Sequence, residues 1–197
     1  FKKKKKKPWI WRKLMHRVLL LSAVMAITGT AASAQVLVIG GGLARECYDL
    51  VKSGNYSFRG ADQTCTLALQ EETMTRPNRA ATHVNRGVLR MREGDYDKAL
   101  RDYSAAIDIQ PEMGAAYLNK GAAHIYQRDF PEALETLDRA IALESADIFA
   151  AYYNRGIARE NTGDVTGAYY DFQKALELKP GWELAERQLD RFNVQPQ

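Results

Sequence analysis

Apolar and polar residues follow the period of amphipathic helices through the second half of the chain, and one two-helix pattern occurs three times. In the first copy, Val84, Val88 and Met91 fall on one face of a helix, and Ala99 and Tyr103 fall on one face of the next. Equivalent positions are 34 and 35 residues apart, as one glycine of each copy shows: Gly87, Gly121 and Gly156. This period predicts stacked helical hairpins that share a core.

Small and capping residues have fixed places within each copy. An aspartate precedes each second helix and is suited to cap its free N–H groups: Asp95, Asp129 and Asp164. Asp129 and Glu132 also have the spacing of a capping box. Gly87 and Ala99 are expected to let the two helices of a pair approach closely, and Ala106 leaves room for the next repeat. A bulky residue of each second helix is expected to fill the gaps between layers: Tyr103, Leu137 or Phe172. We therefore expect tightly packed helix pairs.

Residues 80–193 resemble a tetratricopeptide repeat (TPR) array. The matching motif positions are Gly87, Tyr96, Ala99, Tyr103, Ala106 and Pro111, then Gly121, Phe130, Ala133 and Ala140, then Gly156, Ala168, Phe172, Ala175 and Pro180. The departures are Val165 at an aromatic position, Ser145 at a proline position and one extra residue between the last two units. The resemblance implies an all-α, right-handed α-solenoid of antiparallel helix pairs. Its expected units are 80–113, 114–148 and 149–181, followed by a capping helix at 182–193.

The first 34 residues are predicted to be a basic leader with a secretory signal peptide. An apolar run is followed by small residues that end in a small-x-small cleavage site at Ala34. Met15 is the expected start, and residues 1–14 would then not be native; the alternative is a cationic extension that binds anionic lipid. An uncleaved membrane anchor is a further alternative, although the apolar run is short for a bilayer. Cleavage after Ala34 predicts a periplasmic or secreted protein.

The segment 44–79 is predicted to be a divergent first helix pair followed by a linker. Its two cysteines, Cys47 and Cys65, are the only ones in the chain. They are expected to face each other from the two helices. In an exported protein an even number of cysteines favours a disulfide, and the alternative is two separate buried thiols.

The stretch QVLVIGGG at residues 35–42 is similar to the start of a dinucleotide-binding fold, because an apolar run leads into glycines and then a helix. The third glycine of that fingerprint is replaced by Arg45, and helix pairs follow instead of alternating strands. We interpret residues 35–43 as a flexible glycine-rich linker. Nucleotide binding by Gly40–Gly42 is kept as a minor alternative.

The composition favours binding to protein over chemistry or nucleic acid. Nine of the 28 Lys and Arg residues, and none of the 24 Asp and Glu residues, fall in residues 1–34, so the remainder is mildly acidic. A basic stripe that could follow phosphates is therefore not expected. No nucleophile has a plausible set of partners, and no cluster of His and Cys suits a metal. We expect no enzyme activity, no cofactor and no metal.

Three asparagines are the best candidates for a binding site. Asn85, Asn119 and Asn154 each stand two residues before the repeat glycine, on the first helix of a unit. In arrays resembling this one, the first helices line the concave surface. Each amide offers a donor and an acceptor, so the three could bind the backbone of an extended peptide. The surrounding contacts are expected from Val88, Ala122, Tyr126, Tyr153, Ile157 and Arg92.

We therefore expect a non-catalytic scaffold that holds an extended peptide or a partner helix in its groove. The positions of the carboxylate clamp in chaperone-binding relatives carry Val84, Val88, Asn119, Ala150 and Asn154, so capture of acidic C-terminal tails is not expected. The alternative is a self-associating or envelope-complex subunit. It is motivated by four tyrosines that are expected to be exposed: Tyr152, Tyr153, Tyr169 and Tyr170.

Overall fold

The structure, a computed structural model, describes residues 34, 36–54 and 60–192. These residues form nine α-helices and no strand. The helices are α1 (Leu43–Ser53), α2 (Asp62–Glu71), α3 (Arg76–Arg92), α4 (Tyr96–Ile109), α5 (Gly114–Gln127), α6 (Phe130–Ala142), α7 (Ile148–Thr162), α8 (Val165–Leu178) and α9 (Glu183–Leu189). The predicted leader and Gln35 lie outside the described residues.

Successive helices pack as hairpins, and the hairpins stack into a helical solenoid. The pairs are α1 with α2, α3 with α4, α5 with α6 and α7 with α8, and α9 packs on α8 as a cap. The first helices also contact one another in order, from α1 to α3, from α3 to α5 and from α5 to α7. They therefore form one continuous layer, which is the layer predicted to line the groove. The all-α solenoid expected from the repeats is confirmed.

A close approach at the repeat glycines holds each pair together. A Cβ atom on Gly87 would lie 2.5 Å from Cε1 of Tyr103, and one on Gly121 would lie 2.5 Å from Cγ of Leu137. The third pair repeats this contact, with 2.7 Å between a Cβ on Gly156 and the Phe172 ring. The predicted close approach at the repeat glycines is confirmed, but the bulky residues expected between layers lie against the glycine of their own hairpin.

The second helices begin at the predicted aspartates, but only two of these side chains act as caps. Asp95 accepts a hydrogen bond from the Lys98 N–H, and Asp164 accepts one from the Gly167 N–H. The expected capping box at Asp129 is wrong, because its carboxylate accepts no hydrogen bond from the backbone N–H groups of the helix. One of its oxygens lies instead 3.5 Å from Nδ1 of His124.

Helix α3 starts earlier than the repeat pattern predicts. Residues 76–79 were expected to belong to a linker, but they form an additional first turn of this helix. The Thr75 side chain caps the turn by accepting from the Asn78 N–H, and a proline occupies the start of the helix. Pro77 lacks an N–H, which the first turn does not need. The extra turn carries Asn78 toward the chain segment that precedes α1.

Buried ion pairs join α3 to α4 and α7 to α8. Asp102 is almost fully buried, and Arg86 and Arg90 donate to it at 2.6 and 2.8 Å. The α7–α8 hairpin repeats the arrangement, with Arg155 at 2.7 Å from Asp171. The α5–α6 hairpin has Thr136 at the equivalent position. Ion pairs therefore fix the packing of the two helices in the α3–α4 and α7–α8 hairpins.

A disulfide joins α1 to α2. Cys47 and Cys65 are both fully buried, and their Cα atoms are 4.9 Å apart. The expected pairing is present, and two separate thiols are excluded. Because α1 and α2 are short and rich in small residues, a covalent link between them compensates for limited apolar burial.

The cap is shorter than predicted, since α9 covers seven residues. The Trp182 ring lies beside Tyr153, with 4.9 Å between the ring centroids. Across the helices that the structure describes, none has the length and apolar character needed to cross a membrane.

Candidate functional site: an asparagine-lined groove

The chain places its own extended segment against the predicted binding asparagines. Asn85 donates from Nδ2 to the Val36 carbonyl at 3.0 Å and accepts from the Val36 N–H at 3.4 Å. One side-chain amide therefore binds both polar groups of one residue, as a neighbouring strand would in a sheet.

Two further asparagines extend this contact in both directions. Asn119, at the equivalent position of the next hairpin, donates to the Ala34 carbonyl at 3.0 Å. Asn78 binds both polar groups of Ile39, donating to its carbonyl at 2.6 Å and accepting from its N–H at 3.3 Å. The segment formed by Ala34 and residues 36–39 is called the groove segment below.

The spacing of the asparagines on α3 matches the spacing of the backbone groups they bind. Asn78 and Asn85 are seven residues apart on one helix, which corresponds to about 10.5 Å along its axis. Val36 and Ile39 are three residues apart in an extended chain, which corresponds to about 10 Å. Because the two distances agree, a helix can hold an extended chain at two points without distorting either.

Side chains of the groove segment alternate between buried and exposed. Ala34 and Val38 are 3% and 1% exposed, whereas Leu37 and Ile39 are 57% and 78% exposed. Val36 is half-buried. The Val38 side chain packs in a small cluster made largely of alanines: Ala44, Ala68 and Ala81. The groove therefore accepts small or β-branched aliphatic residues at every second position, as a strand-binding surface does.

This finding corrects the expectation that residues 35–43 are a flexible linker. Within this stretch, residues 36–39 are held by hydrogen bonds and by burial of Val38. Only the glycines connect it to α1. Gly40 and Gly42 have φ values of 125° and 85°, which favour glycine and let the chain turn from the groove into α1.

The glycines do not form a phosphate loop. The Leu43 and Ala44 N–H groups at the start of α1 both donate to the carboxylate of Glu72, the second at 3.1 Å. A carboxylate of the chain therefore already occupies the position that a phosphate takes at a helix N-terminus. A strand does not precede the glycines among the described residues, so this geometry gives no support to the nucleotide-binding alternative.

The four asparagines of the first helices, Asn78, Asn85, Asn119 and Asn154, are called the ladder below. Two of their buried amide atoms have no partner among the described residues. They are Oδ1 of Asn119 and Nδ2 of Asn154. Both side chains are at most 1% exposed. Leaving such a group without a hydrogen bond costs about 1–3 kcal/mol, so a ligand that satisfied these atoms would gain from doing so. Asn119 and Asn154 lie on α5 and α7, which are in contact, so the two groups belong to the same layer of first helices.

The other predicted site residues do not all line the surface. Val88, Ala122 and Tyr153 are buried in the core between helices, where neighbouring side chains already cover them. Ile157 is half-buried against the core beside the cap. Tyr126 of α5 is stacked on Tyr96 of α4, with 5.4 Å between the ring centroids, so it lies between the α3–α4 and α5–α6 hairpins.

Arg92 is placed away from the ladder, because it donates to the Val51 carbonyl of α1 at 3.2 Å. The sequence pattern did not predict that Asn78 belongs to the site, because it places this residue in a linker, and it did not predict the groove segment. The signal that could have identified the segment is the aliphatic run from Val36 to Ile39, which has the composition of a strand. Among the described residues, no group of three or more His, Cys, Asp and Glu side chains is arranged to hold a metal ion.

Comparison with solved structures supports the fold. The chain is 27% identical to the first TPR of Spaghetti (RPAP3) bound to an HSP90 peptide, with a TM-score of 0.55, covering 57% of this chain and 88% of that one. It is 26% identical to the second TPR domain of human RPAP3 in complex with an HSP70 peptide, with a TM-score of 0.57, covering 61% of this chain and all of that domain.

A third similar structure, MamA, has a TM-score of 0.62 at 22% identity, covering 77% of this chain and 82% of MamA, and supports the fold alone. No significant match is found among curated proteins. Two profiles of the tetratricopeptide repeat family match residues 78–146 and 118–181, and together they cover more than half of the 197 residues. With the stacked hairpins and the glycine contacts, these matches show that the chain belongs to the tetratricopeptide repeat family.

Proposed function

We propose that this protein is a non-catalytic TPR scaffold that holds an extended segment of a partner protein in its concave groove. The observation that carries the proposal is the bidentate contact of Asn85 with the Val36 backbone. It is a peptide-binding geometry, occupied by the chain itself. Two unfilled amide atoms on the same layer, at Asn119 and Asn154, extend it beyond the residues already bound.

The similar structures support peptide binding as the general function. The first TPR of Spaghetti is bound to the HSP90 peptide SRMEEVD, and the second TPR domain of human RPAP3 is in complex with the HSP70 peptide SGPTIEEVD. Both peptides end in acidic residues. The expected clamp positions here carry no Lys or Arg, and three of them are the buried Val84, Val88 and Ala150. We therefore propose recognition of backbone amides and aliphatic side chains, not of an acidic tail.

We further propose that the protein acts outside the cytoplasm after its leader is removed. The supports are the Ala34 cleavage site in the sequence and the buried disulfide, which is typical of oxidising compartments. Cleavage after Ala34 would remove the carbonyl that Asn119 binds. The Asn119 amide would then be available to a partner, while Val36 and Ile39 would keep their contacts.

Self-association is the weaker alternative. Of the four tyrosines that suggested it, Tyr170 is 62% exposed, Tyr152 and Tyr169 are half-buried, and Tyr153 is buried against the cap. A contiguous aromatic surface is therefore lacking on this part of the array. Sedimentation over a range of protein concentrations tests the alternative, and a persistent monomer would count against it.

Selection from a library of heptapeptides, blocked at both ends, tests the proposed function. Peptides bound by the full chain should carry aliphatic residues at alternate positions. They should lose binding to a double variant, Asn119→Ala with Asn154→Ala. Asn161→Ala is the matched control, because this asparagine lies on α7 with Asn154 but is exposed and bonds only its own helix. Equal binding by the double variant, or no selected peptide, would contradict the proposal.

A further inference from the structure

The groove segment uses the same atoms that a bound partner would need. Both polar groups of the Asn85 amide are engaged by Val36, and Asn78 is engaged in the same way by Ile39. Asn85 is also fully buried, so a second extended chain cannot bind it while the groove segment is in place. Binding of a partner along the whole ladder requires that the segment leave.

The groove segment is attached in a way that permits it to leave. It is joined to α1 through Gly40, Gly41 and Gly42, and side-chain positions on Gly40 and Gly41 would meet no atom within 4 Å. The helix start does not depend on the segment, because Glu72 binds the first N–H groups of α1. Release therefore breaks the contacts to the asparagines and uncovers Val38, but it leaves the helices intact.

The buried positions of the segment also define what the groove accepts. Ala34, Val36 and Val38 point toward the helices, and the exposed Leu37 between them makes no comparable contact. The Val38 side chain packs among buried alanines with Leu43, Tyr48 and Met74 around them, so this pocket is apolar and burial of a charged side chain in it is unfavourable. The groove is selective for small and β-branched side chains at alternate positions.

We infer that the groove segment is an internal ligand, and that partner segments are extended chains with alanine or valine at alternate positions that exchange with it. The inference rests on the proposed function and adds the class of ligand and its regulation. With a tethered competitor, the apparent affinity for a partner equals the intrinsic affinity multiplied by the fraction of molecules in which the groove is open. If the groove is open in about a tenth of molecules, apparent affinity falls about tenfold.

Fluorescence polarisation with a labelled hexapeptide, acetyl-AQVLVI-amide, tests the exchange. The sequence copies residues 34–39 and has no charged end. Val38→Asp should release the internal ligand, because a carboxylate cannot occupy the alanine-lined pocket. We expect this variant to bind the peptide about tenfold more tightly than the unmodified chain. Leu37→Asp is the matched control, because this side chain is already exposed, and it should bind as the unmodified chain does.

The outcomes separate the two proposals. Equal affinity for all three chains would overturn the internal ligand and leave the proposed function standing, since a peptide would still be bound. No binding by any chain would overturn the ligand class, and a library that also selects nothing would overturn the proposed function.

If Val38→Asp does not fold, hydrogen exchange of the Val36 amide in the unmodified chain decides. Excess hexapeptide should accelerate this exchange, and an unchanged rate would overturn the inference.

Discussion

Replacing Asp102 by asparagine should lower the stability of the array more than any surface substitution of similar size. The Asp102 carboxylate is buried between α3 and α4 and accepts from Arg86 and Arg90. His83 lies beside the same carboxylate, with its Nδ1 atom at 3.2 Å. An asparagine there keeps the shape of the side chain but leaves two half-buried guanidinium groups without their main anion.

The magnitude follows from the contacts that remain. Removing one member of a buried ion pair typically costs about 3–5 kcal/mol. Arg90 keeps a 2.8 Å pair with Asp62, and Arg86 keeps a hydrogen bond to Thr66 at 3.1 Å. The expected loss is therefore near the lower end, about 3 kcal/mol. For a chain of this size that corresponds to a fall in Tm of about 6–12 °C.

The pH dependence gives a second readout of the same pair. Burial raises the pKa of Asp102, but hydrogen bonds with His83 and Arg86 and the nearby charges outweigh it, so the net pKa lies below the ordinary value of 3.8. A lowered folded pKa means that the stabilisation is present above the unfolded value and is lost as pH falls toward the folded value. The two chains should therefore differ at neutral pH and converge in acid.

Urea titrations at neutral and acid pH measure both effects. Asp138→Asn is the matched control, because this carboxylate also pairs with an arginine, at 2.6 Å, but its side chain is 60% exposed. The control should change the free energy of unfolding by less than about 1 kcal/mol. Two results would show that Asp102 does not anchor the arginines. One is a loss of unfolding free energy at neutral pH that is no larger for Asp102→Asn than for the control. The other is a difference between Asp102→Asn and the unmodified chain that persists in acid.

Three other substitutions or treatments test separate parts of the fold. Gly121→Ala should destabilise the chain by about 1 kcal/mol, because overpacking against Leu137 outweighs the better helix propensity of alanine; a higher urea midpoint would contradict this. Reduction of the disulfide, which closes a loop between residues 18 apart, should cost about 3 kcal/mol, and an unchanged Tm in reductant would argue against it. Asn85→Ala should accelerate hydrogen exchange of the Val36 amide at least about tenfold, since two hydrogen bonds are lost; protection equal to that of the unmodified chain would show that Asn85 does not hold the segment.

The helical repeat was predictable because its constraints are local in sequence. Gly87 and Tyr103 lie 16 residues apart in one hairpin, and the same pairing recurs at regular spacing. Repetition makes the small and bulky positions visible without a structure, but the contact between them is seen only in the structure. Asp129 shows the limit of a spacing argument, because its position fits a cap but its carboxylate accepts no hydrogen bond from the N–H groups of the helix.

The repeat asparagines of the candidate site were predictable from the sequence, but the segment bound there was not. The amide of Asn85 could be placed on the inner layer, because its position relative to the repeat glycine is fixed. What it binds could not be predicted, since Val36 is 49 residues away and belongs to no repeat. Asn78 was missed for a related reason: it lies on an extra turn of α3 that the other repeats lack.

Nuclear Overhauser effects from the Val38 methyl groups show whether the groove holds an extended chain. These methyls pack against buried alanines in the groove, so cross-peaks to the Ala44 and Ala81 methyls should be observed in the full chain. The same cross-peaks should disappear on addition of excess acetyl-AQVLVI-amide. Val38 signals at random-coil positions, with no cross-peaks to either alanine, would show that the groove does not hold an extended chain as described.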